Sequence, residues 1–330
     1  MKARPQPQHL KQMAPRDIRA LSSVDVAVSA LRALEPEDVR VLRAVEKLME
    51  RYEHVPVEAI LRASGLPERE VGYRLDRLHA LGLLKRWMGP YTGYVLRMAG
   101  HDVLALYSLV KADVLEAFGR PLGVGKEADV YDALTPGGRR VAVKFHRLGR
   151  TSFRQTRRLR GYTRPDTWPS WHVRSRIAAK REMRALRLAY AHGVSVPEPI
   201  ARNRHVLVMG IIEGAELAEV AELPEPGAVL ADVLENVRRA YLGAGIIHAD
   251  LSEFNIIIRP DASVLIIDWP QFVYKDHPNA RWLLERDVKN VLKFFKRRFD
   301  LHIDAGVAIG FVVGARQDVP GLHLGGSNTT

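Results

Sequence analysis

The 330-residue sequence carries 50 Lys and Arg against 38 Asp and Glu, a formal net charge of +12, with 47% apolar residues, 27% charged residues and no cysteine. The length suggests about two domains; the composition excludes wholesale disorder and fibrous proteins; the lack of cysteine excludes disulfides, thiolate metal sites and cysteine nucleophiles. No stretch approaches the roughly 18 continuous apolar residues of a membrane span, and Met1 to Arg16 has no apolar signal core, so an intracellular, cytoplasmic protein is expected.

The first hundred residues read as short helices followed by a hairpin. Val39, Leu42, Val45, Met49 and Tyr52 recur at helical spacing. A second helix is predicted over Val57 to Ala63, closed by Ser64-Gly65-Leu66-Pro67, with Pro67 where a first helical position tolerates proline. A third turns Val71, Leu75 and Leu78 inward and Arg69, Arg74 and Arg77 outward. Leu84 to Met88 and Tyr94 to Met98 read as strands around Gly89-Pro90-Tyr91-Thr92-Gly93. This is the order of a winged helix, although three-helix bundles share the pattern. Such domains bind nucleic acid through the third helix, but Pro67 to Arg86 carries five bases against three acids, so protein interaction or RNA docking stands level with DNA binding.

His101 to Phe118 is expected to be a linking helix, with Val103, Leu106, Val110 and Val114 on one stripe. From Gly119 the chain turns to short β-rich runs, which places a domain boundary between Met98 and Gly119. From Phe145 to Arg181 there are eleven Lys and Arg and one acid, Asp166, a local +10. The bland reading is a solvated face. The sharper one is a mobile basic loop facing phosphates or nucleic acid, because Trp168, Pro169 and Trp171 interleave the charges and Gly161, Pro165 and Pro169 break any helix.

Three stretches carry chemistry. Gly123-Val124-Gly125-Lys126-Glu127-Ala128-Asp129-Val130-Tyr131 is a glycine-containing turn followed by a strand, where the backbone can approach a polyphosphate and aim amide protons at it. It is not a Walker loop, since no Gly-Lys-Ser/Thr follows. Val141-Ala142-Val143-Lys144 then sets a lysine at the end of a buried strand, as in the kinase lysine that contacts the α- and β-phosphates. Such a lysine needs a carboxylate. Glu182 is the only acid of the helix Arg174 to Tyr190 and sits at the edge of its apolar stripe of Ala179, Met183, Leu186 and Tyr190, with surface pairing to Lys180 or Arg181 as the bland alternative. The third stretch is Ile246-Ile247-His248-Ala249-Asp250-Leu251-Ser252-Glu253-Phe254-Asn255, followed by Val264-Leu265-Ile266-Ile267-Asp268-Trp269-Pro270. Phosphoryl transfer needs a carboxylate beside the attacking hydroxyl or water and oxygen ligands for magnesium. Asp250 and Asn255 have the spacing of a kinase catalytic loop, and Asp268 ends an apolar strand where a metal-binding aspartate would lie. His248 is expected to order the loop rather than transfer a proton.

These residues resemble the RIO family of atypical protein kinases, in its winged-helix-bearing, type-two branch. The resemblance reaches to about Phe299 and rests on residues 123–131, 144–154, 248–255 and 267–271, with Glu285 to Asn290 resembling the family's C-terminal helix. It implies an α+β chain: a winged-helix domain over 1–98, the linking helix over 99–118, a reduced two-lobed kinase domain over 119–318 with lobes meeting near 209–210, and a flexible tail over 319–330. It also implies ATP and Mg2+ as ligands, with Mn2+ as a substitute, and a role in maturing the small ribosomal subunit and its rRNA. By motif, Lys144 and Glu182 hold the phosphates, Asp250 is the catalytic aspartate, Asn255 and Asp268 bind metal, and Asp268 is a transient phosphoryl acceptor. Gly123, Val124, Gly125, Lys126, Glu127, Ala128, Val130, Met209, Gly210 and Ile212 complete the ATP site, the backbone of Gly210 and Ile212 bonding adenine. Arg154, Arg157, Arg158 and Arg160 are the expected nucleic-acid contacts. Ala249 replaces the glycine usual after the catalytic-loop histidine, Trp269 a phenylalanine, and Gly210 a common hinge glutamate.

Only 62 residues follow Asp268, too few for the activation segment and peptide-docking helices of ordinary kinases. ATP hydrolysis without a protein acceptor is therefore expected. Two other readings compete: a small-molecule kinase resembling aminoglycoside phosphotransferases, and a non-enzymatic winged-helix protein.

Overall fold

The structure, a computed structural model, describes residues 21–148 and 171–322. The chain divides into two compact units, Met1–Ser108 and Leu109–Thr330.

In the first unit, α1 (Ser23–Leu31) opens on a capping box in which Ser22 Oγ accepts the Asp25 amide and Asp25 accepts the Ser22 amide. Helices α2 (Pro36–Leu48), α3 (Val57–Ser64) and α4 (Glu68–Ala80) follow, with Gly65 closing α3 at φ +62°. Strands β1 (Val55–Pro56), β2 (Leu84–Met88) and β3 (Thr92–Leu96) form a sheet in the order β1-β3-β2. Val71, Leu75 and Leu78 of α4 are buried as expected. Arg74 is not outward. It is buried against Glu35 at 2.8 Å, Glu70 at 2.7 Å and Asp38 at 3.4 Å, while Arg77 pairs with Glu35 at 2.9 Å and Asp38 at 2.5 Å. The reason is Asp38, whose side chain has no solvent access and needs cations around it. Tyr52 lies beyond the end of α2 and is exposed, and Met98 begins the next helix instead of ending a strand.

Helix α5 (Met98–Lys111) stops seven residues before the expected Phe118, and Val110 of its expected stripe is exposed. Asp113 adopts φ +53°, a conformation aspartate tolerates, and Val114 N–H returns to the carbonyl of Leu109 at 3.0 Å. Ala117 and Phe118 already pair with Leu134 and Ala133.

The second unit begins with an antiparallel sheet of β4 (Ala117–Val124), β5 (Ala128–Leu134), β6 (Arg140–His146), β7 (Pro199–Asn203) and β8 (Val206–Gly210), in the order β4-β5-β6-β8-β7. Helix α6 (Trp171–Ala191) packs on it, burying Ala179, Glu182, Met183 and Leu186, while Tyr190 of the expected stripe is exposed. Beyond β9 (Ala215–Glu216) come α7 (Pro226–Arg238), β10 (Ile246–Ile247), β11 (Ile256–Ile258), β12 (Val264–Ile266), β13 (Val273–Tyr274), α8 (Ala280–Phe299) and α9 (Ala305–Val312). The short strands pair as β12-β11-β9 and β10-β13 over a core that includes Trp269, Phe295 and Phe311. Val319 and Leu322 are buried in the same core, so the expected tail from 319 does not start there; residues 323–330 lie outside the described residues.

Candidate active site

Strand β6 sets Lys144 between Val130 of β5 and Leu207 of β8. From the floor of the sheet its Nζ donates to Glu182 Oε1 on α6 at 2.7 Å and to Asp268 Oδ1, two residues past β12, at 2.8 Å. His146 Nε2 lies 2.8 Å from the other Glu182 oxygen. Burial works against both charges, but each is held by its partner: Glu182 and Asp268 raise the Lys144 pKa above its ordinary value, and Lys144 and His146 bring the Glu182 carboxyl down to about 2.

The catalytic-loop stretch is a chain of backbone contacts. Strand β10 leads to His248, Ala249 and the exposed Asp250. Asn255 Nδ2 donates to the Asp250 carbonyl at 2.8 Å, and Ile267 N–H donates to the Asn255 carbonyl at 3.0 Å, so the loop is tied to the residue preceding Asp268. His248 is buried, which lowers its pKa against the pull of the nearby carboxylates. The neutral ring places Nε2 2.9 Å from the Ile267 carbonyl, a donor to it, and orders the loop as expected. Trp269 packs 4.6 Å from that ring and donates Nε1–H to the Ile266 carbonyl at 3.1 Å. Ala249 and Asp268 both have positive φ, +64° and +65°. This explains why a glycine suits position 249, and marks both loops as locally strained.

At the glycine turn, Gly125 N–H donates to Ala128 O at 2.8 Å, and Arg147 N–H fixes the Glu127 carbonyl at 2.6 Å. Gly123, Val124, Gly125, Lys126 and Glu127 are exposed, and the space where a Cβ of Gly123 would stand is open. At the end of β8, Met209 is buried and Gly210 pairs with Val141 of β6. The Gly210 N–H is already donated to the Glu198 carbonyl at 2.9 Å, which leaves only the carbonyl of Gly210 for adenine. The Ile212 N–H makes no backbone hydrogen bond among the described residues.

Among the described residues no group of three or more His, Asp or Glu could hold a metal ion alone. The pair Asn255 and Asp268 nevertheless fits magnesium, which takes one or two protein oxygens and completes its shell with phosphates and water. The Asn255 amide nitrogen is spent on Asp250, so its oxygen is the atom left for a cation.

Three contributors were not singled out from the sequence. Asp287 of α8 is buried and accepts the amides of Ala249 at 2.7 Å and Leu251 at 3.3 Å, and its neighbour Arg286 donates to the Ala249 carbonyl. An acid three residues after Leu284 and one before Val288, within the buried stripe of α8, was the available signal. The others are His146 and Arg181, the latter expected at most as a surface partner of Glu182 and found instead on the carbonyls of Pro270, Gln271 and Phe272. The expected RNA contacts Arg154, Arg157, Arg158 and Arg160 lie outside the described residues, as does Trp168. Arg147, counted with that basic loop, is instead fully buried, with Nε on Asp129 at 2.9 Å and its guanidinium over Phe145. Trp171 starts α6 and packs near His205.

A model described as RIO domain matches residues 129–306, and one described as Rio2, N-terminal matches 31–112. The chain is 42% identical over 254 residues to the RIO-type serine/threonine-protein kinase Rio2 of Methanocaldococcus jannaschii, covering 76% of this chain and 92% of that one. It is 35% identical over 277 residues to the serine/threonine-protein kinase rio2 of Schizosaccharomyces pombe, covering 84% and 80%. The crystal structure of a Rio2 kinase–ADP/Mg2+–phosphoaspartate complex from Chaetomium thermophilum superposes with a TM-score of 0.74 at 33% identity, over 88% of this chain and 93% of that one.

Proposed function

This chain belongs to the RIO kinases, in their Rio2 branch, and is a phosphotransferase of the serine/threonine-protein kinase type; on that premise we propose that it is an ATP- and Mg2+-dependent ATPase and kinase acting on the maturing small ribosomal subunit. The observation that carries the nucleotide site is the Lys144 ammonium between Glu182 and Asp268, the pairing that a phosphate-holding lysine requires. Lys144 holds the phosphates and Glu182 fixes its position. Gly123 to Ala128 and Val130 cover the nucleotide, Met209 packs at the hinge, and the Gly210 carbonyl and Ile212 N–H bond adenine. Asn255 and Asp268 hold Mg2+, for which Mn2+ can substitute. When bound, that cation neutralises charge developing on the phosphates.

The phosphoaspartate of the Chaetomium relative supports a covalent step. An Asp268 carboxylate oxygen attacks the γ-phosphorus, the bond to the bridging oxygen breaks, and ADP leaves with that electron pair. Water then attacks the acyl phosphate, Asp250 takes its proton, and phosphate is released as Asp268 is restored. No acceptor peptide is needed. The short stretch between Asp268 and α8, residues 269–279, leaves little chain for an activation segment.

The winged-helix domain lies within residues 1–98, the kinase domain follows α5 (Met98–Lys111), and the lobes meet near 209–210. The partners are pre-ribosomal particles and their rRNA, in the cytoplasm. Membership of the RIO family sets aside the aminoglycoside-kinase and non-enzymatic readings. ATP turnover with and without purified small-subunit precursors tests the proposal. It expects Mg2+-dependent hydrolysis that changes on adding particles; particles that neither bind the protein nor alter turnover would remove the ribosomal assignment.

A further inference from the structure

Of the stretch Asp268-Trp269-Pro270-Gln271, the nucleotide site derived above takes only the aspartate. Arg181, beside Glu182 on α6, reaches the rest of it. Its Nε donates to the Pro270 carbonyl at 2.8 Å, and its Nη2 donates to the carbonyls of Gln271 at 3.4 Å and Phe272. The guanidinium also lies 5.2 Å over the Phe272 ring, and Arg184 lies 5.3 Å over the ring of Tyr274. The far side of the same segment is fixed independently. Trp269 is buried against His248, and β13 pairs with β10, the strand that leads into Asp250.

Three consecutive carbonyls facing one cation suit a planar fork of donors, which an ammonium cannot reproduce. Glu182 is the next residue of the helix, so the contact that anchors Arg181 also sets Glu182 against Lys144. Lys144 in turn is bonded to Asp268, two residues before Pro270. The arrangement is a closed ring: Arg181 to 270–272, through Asp268 to Lys144, to Glu182 and back to α6.

We propose that Arg181 is a positioning residue that latches α6 to the segment after Asp268, keeping the Lys144–Glu182 pair assembled in a chain with little room for an activation segment. The latch rests on the reading of Lys144, Glu182 and Asp268 as the nucleotide site. Because adenine is held at the hinge, loosening the latch should act on the transition state more than on ground-state binding.

The test uses full-length Arg181→Ala, Arg181→Lys and Glu182→Gln, and the double variant Arg181→Ala with Glu182→Gln. Hydrolysis by the parent checks the nucleotide site itself; the latch is read only from the variants relative to it. Arg181→Ala should lower kcat about tenfold with the KM for ATP within about threefold, and Arg181→Lys should recover only part of the loss. Hydrogen exchange should quicken together in α6 and in the peptide covering 269–274. In the Glu182→Gln background, adding Arg181→Ala should cost much less than it does alone. A kcat within twofold of the parent for Arg181→Ala, or an equal loss in both backgrounds, would overturn the latch.

Discussion

The carboxylate of Asp287 accepts the backbone N–H of Ala249 at 2.7 Å, fixing the His248–Ala249 peptide of the catalytic loop from a helix 38 positions away in sequence. Arg286 takes the carbonyl of the same residue. Ala249 is thus held at both ends in a left-handed conformation, and the direction of Asp250 follows from that clamp. Burial raises the Asp287 pKa, opposed by His248, Arg286 and the Ala249 amide.

Asp287→Asn should therefore impair chemistry rather than nucleotide binding. An asparagine can turn its NH2 towards a backbone donor, which spoils one of the two bonds, and replacement by alanine strands two amides at roughly 1–3 kcal/mol each. We expect kcat to fall on the order of 100-fold with the Kd for ATP nearly unchanged. Equal turnover by the asparagine variant would show that the clamp does not position Asp250.

Ala249→Gly should stabilise the protein. A Cβ at φ +64° costs about 1–2 kcal/mol, partly offset by the entropy glycine adds to the unfolded chain. The net gain should be about 0.5–1 kcal/mol in urea unfolding, with turnover retained. A loss of stability would mean that the Cβ packs usefully in the core below the loop.

The Lys144–Glu182 pair predicts the acid limb of stability. The Glu182 pKa in the folded state is about 2, below the ordinary 4.5, with Lys144, His146 and, through Lys144, Asp268 around it. Because the folded value is the depressed one, the contribution is complete above pH 4.5 and is lost as pH falls from there towards 2. Lys144→Met should remove about 3 kcal/mol near neutral pH by leaving a buried carboxylate with less compensation, and should flatten that limb. Unfolding free energies between pH 6 and 3 measure both; an unchanged acid limb in Lys144→Met would contradict the pairing.

Lys144, Glu182 and Asp268 were legible in the sequence as one cluster because each sits at a fixed offset from an apolar strand or stripe, and local pattern sets those offsets. The winged-helix order was legible for the same reason, down to the strand Leu84–Met88. What escaped depended on partners distant in sequence. Arg74 reads as a solvated cation and Arg147 as part of a phosphate-facing basic loop because nothing in the local pattern announces that Asp38 and Asp129 are the buried acids that capture them. Asp287 and Arg181 act on backbone groups, which leave no trace in side-chain pattern. The overlong α5 arose because apolar spacing runs on to Val114 past the left-handed turn at Asp113.

The arginines of the segment following Arg147 remain the proposed RNA contacts. Replacing Arg154, Arg157, Arg158 and Arg160 with alanine should weaken RNA binding and flatten the dependence of log affinity on log salt by about 0.7–0.9 for each phosphate no longer neutralised. Basal ATP hydrolysis should survive. An unchanged slope would return the segment to a solvated face.

In the proposed mechanism Asp250 performs chemistry at a nucleotide site assembled by Lys144, Glu182, Asn255 and Asp268. Its most direct test is turnover and binding of ATP with Mg2+ by Asp250→Ala. Asp250→Ala should keep a Kd within about threefold of the parent and hydrolyse ATP about 100-fold or more slowly; hydrolysis at the parent rate would remove Asp250 from the chemistry.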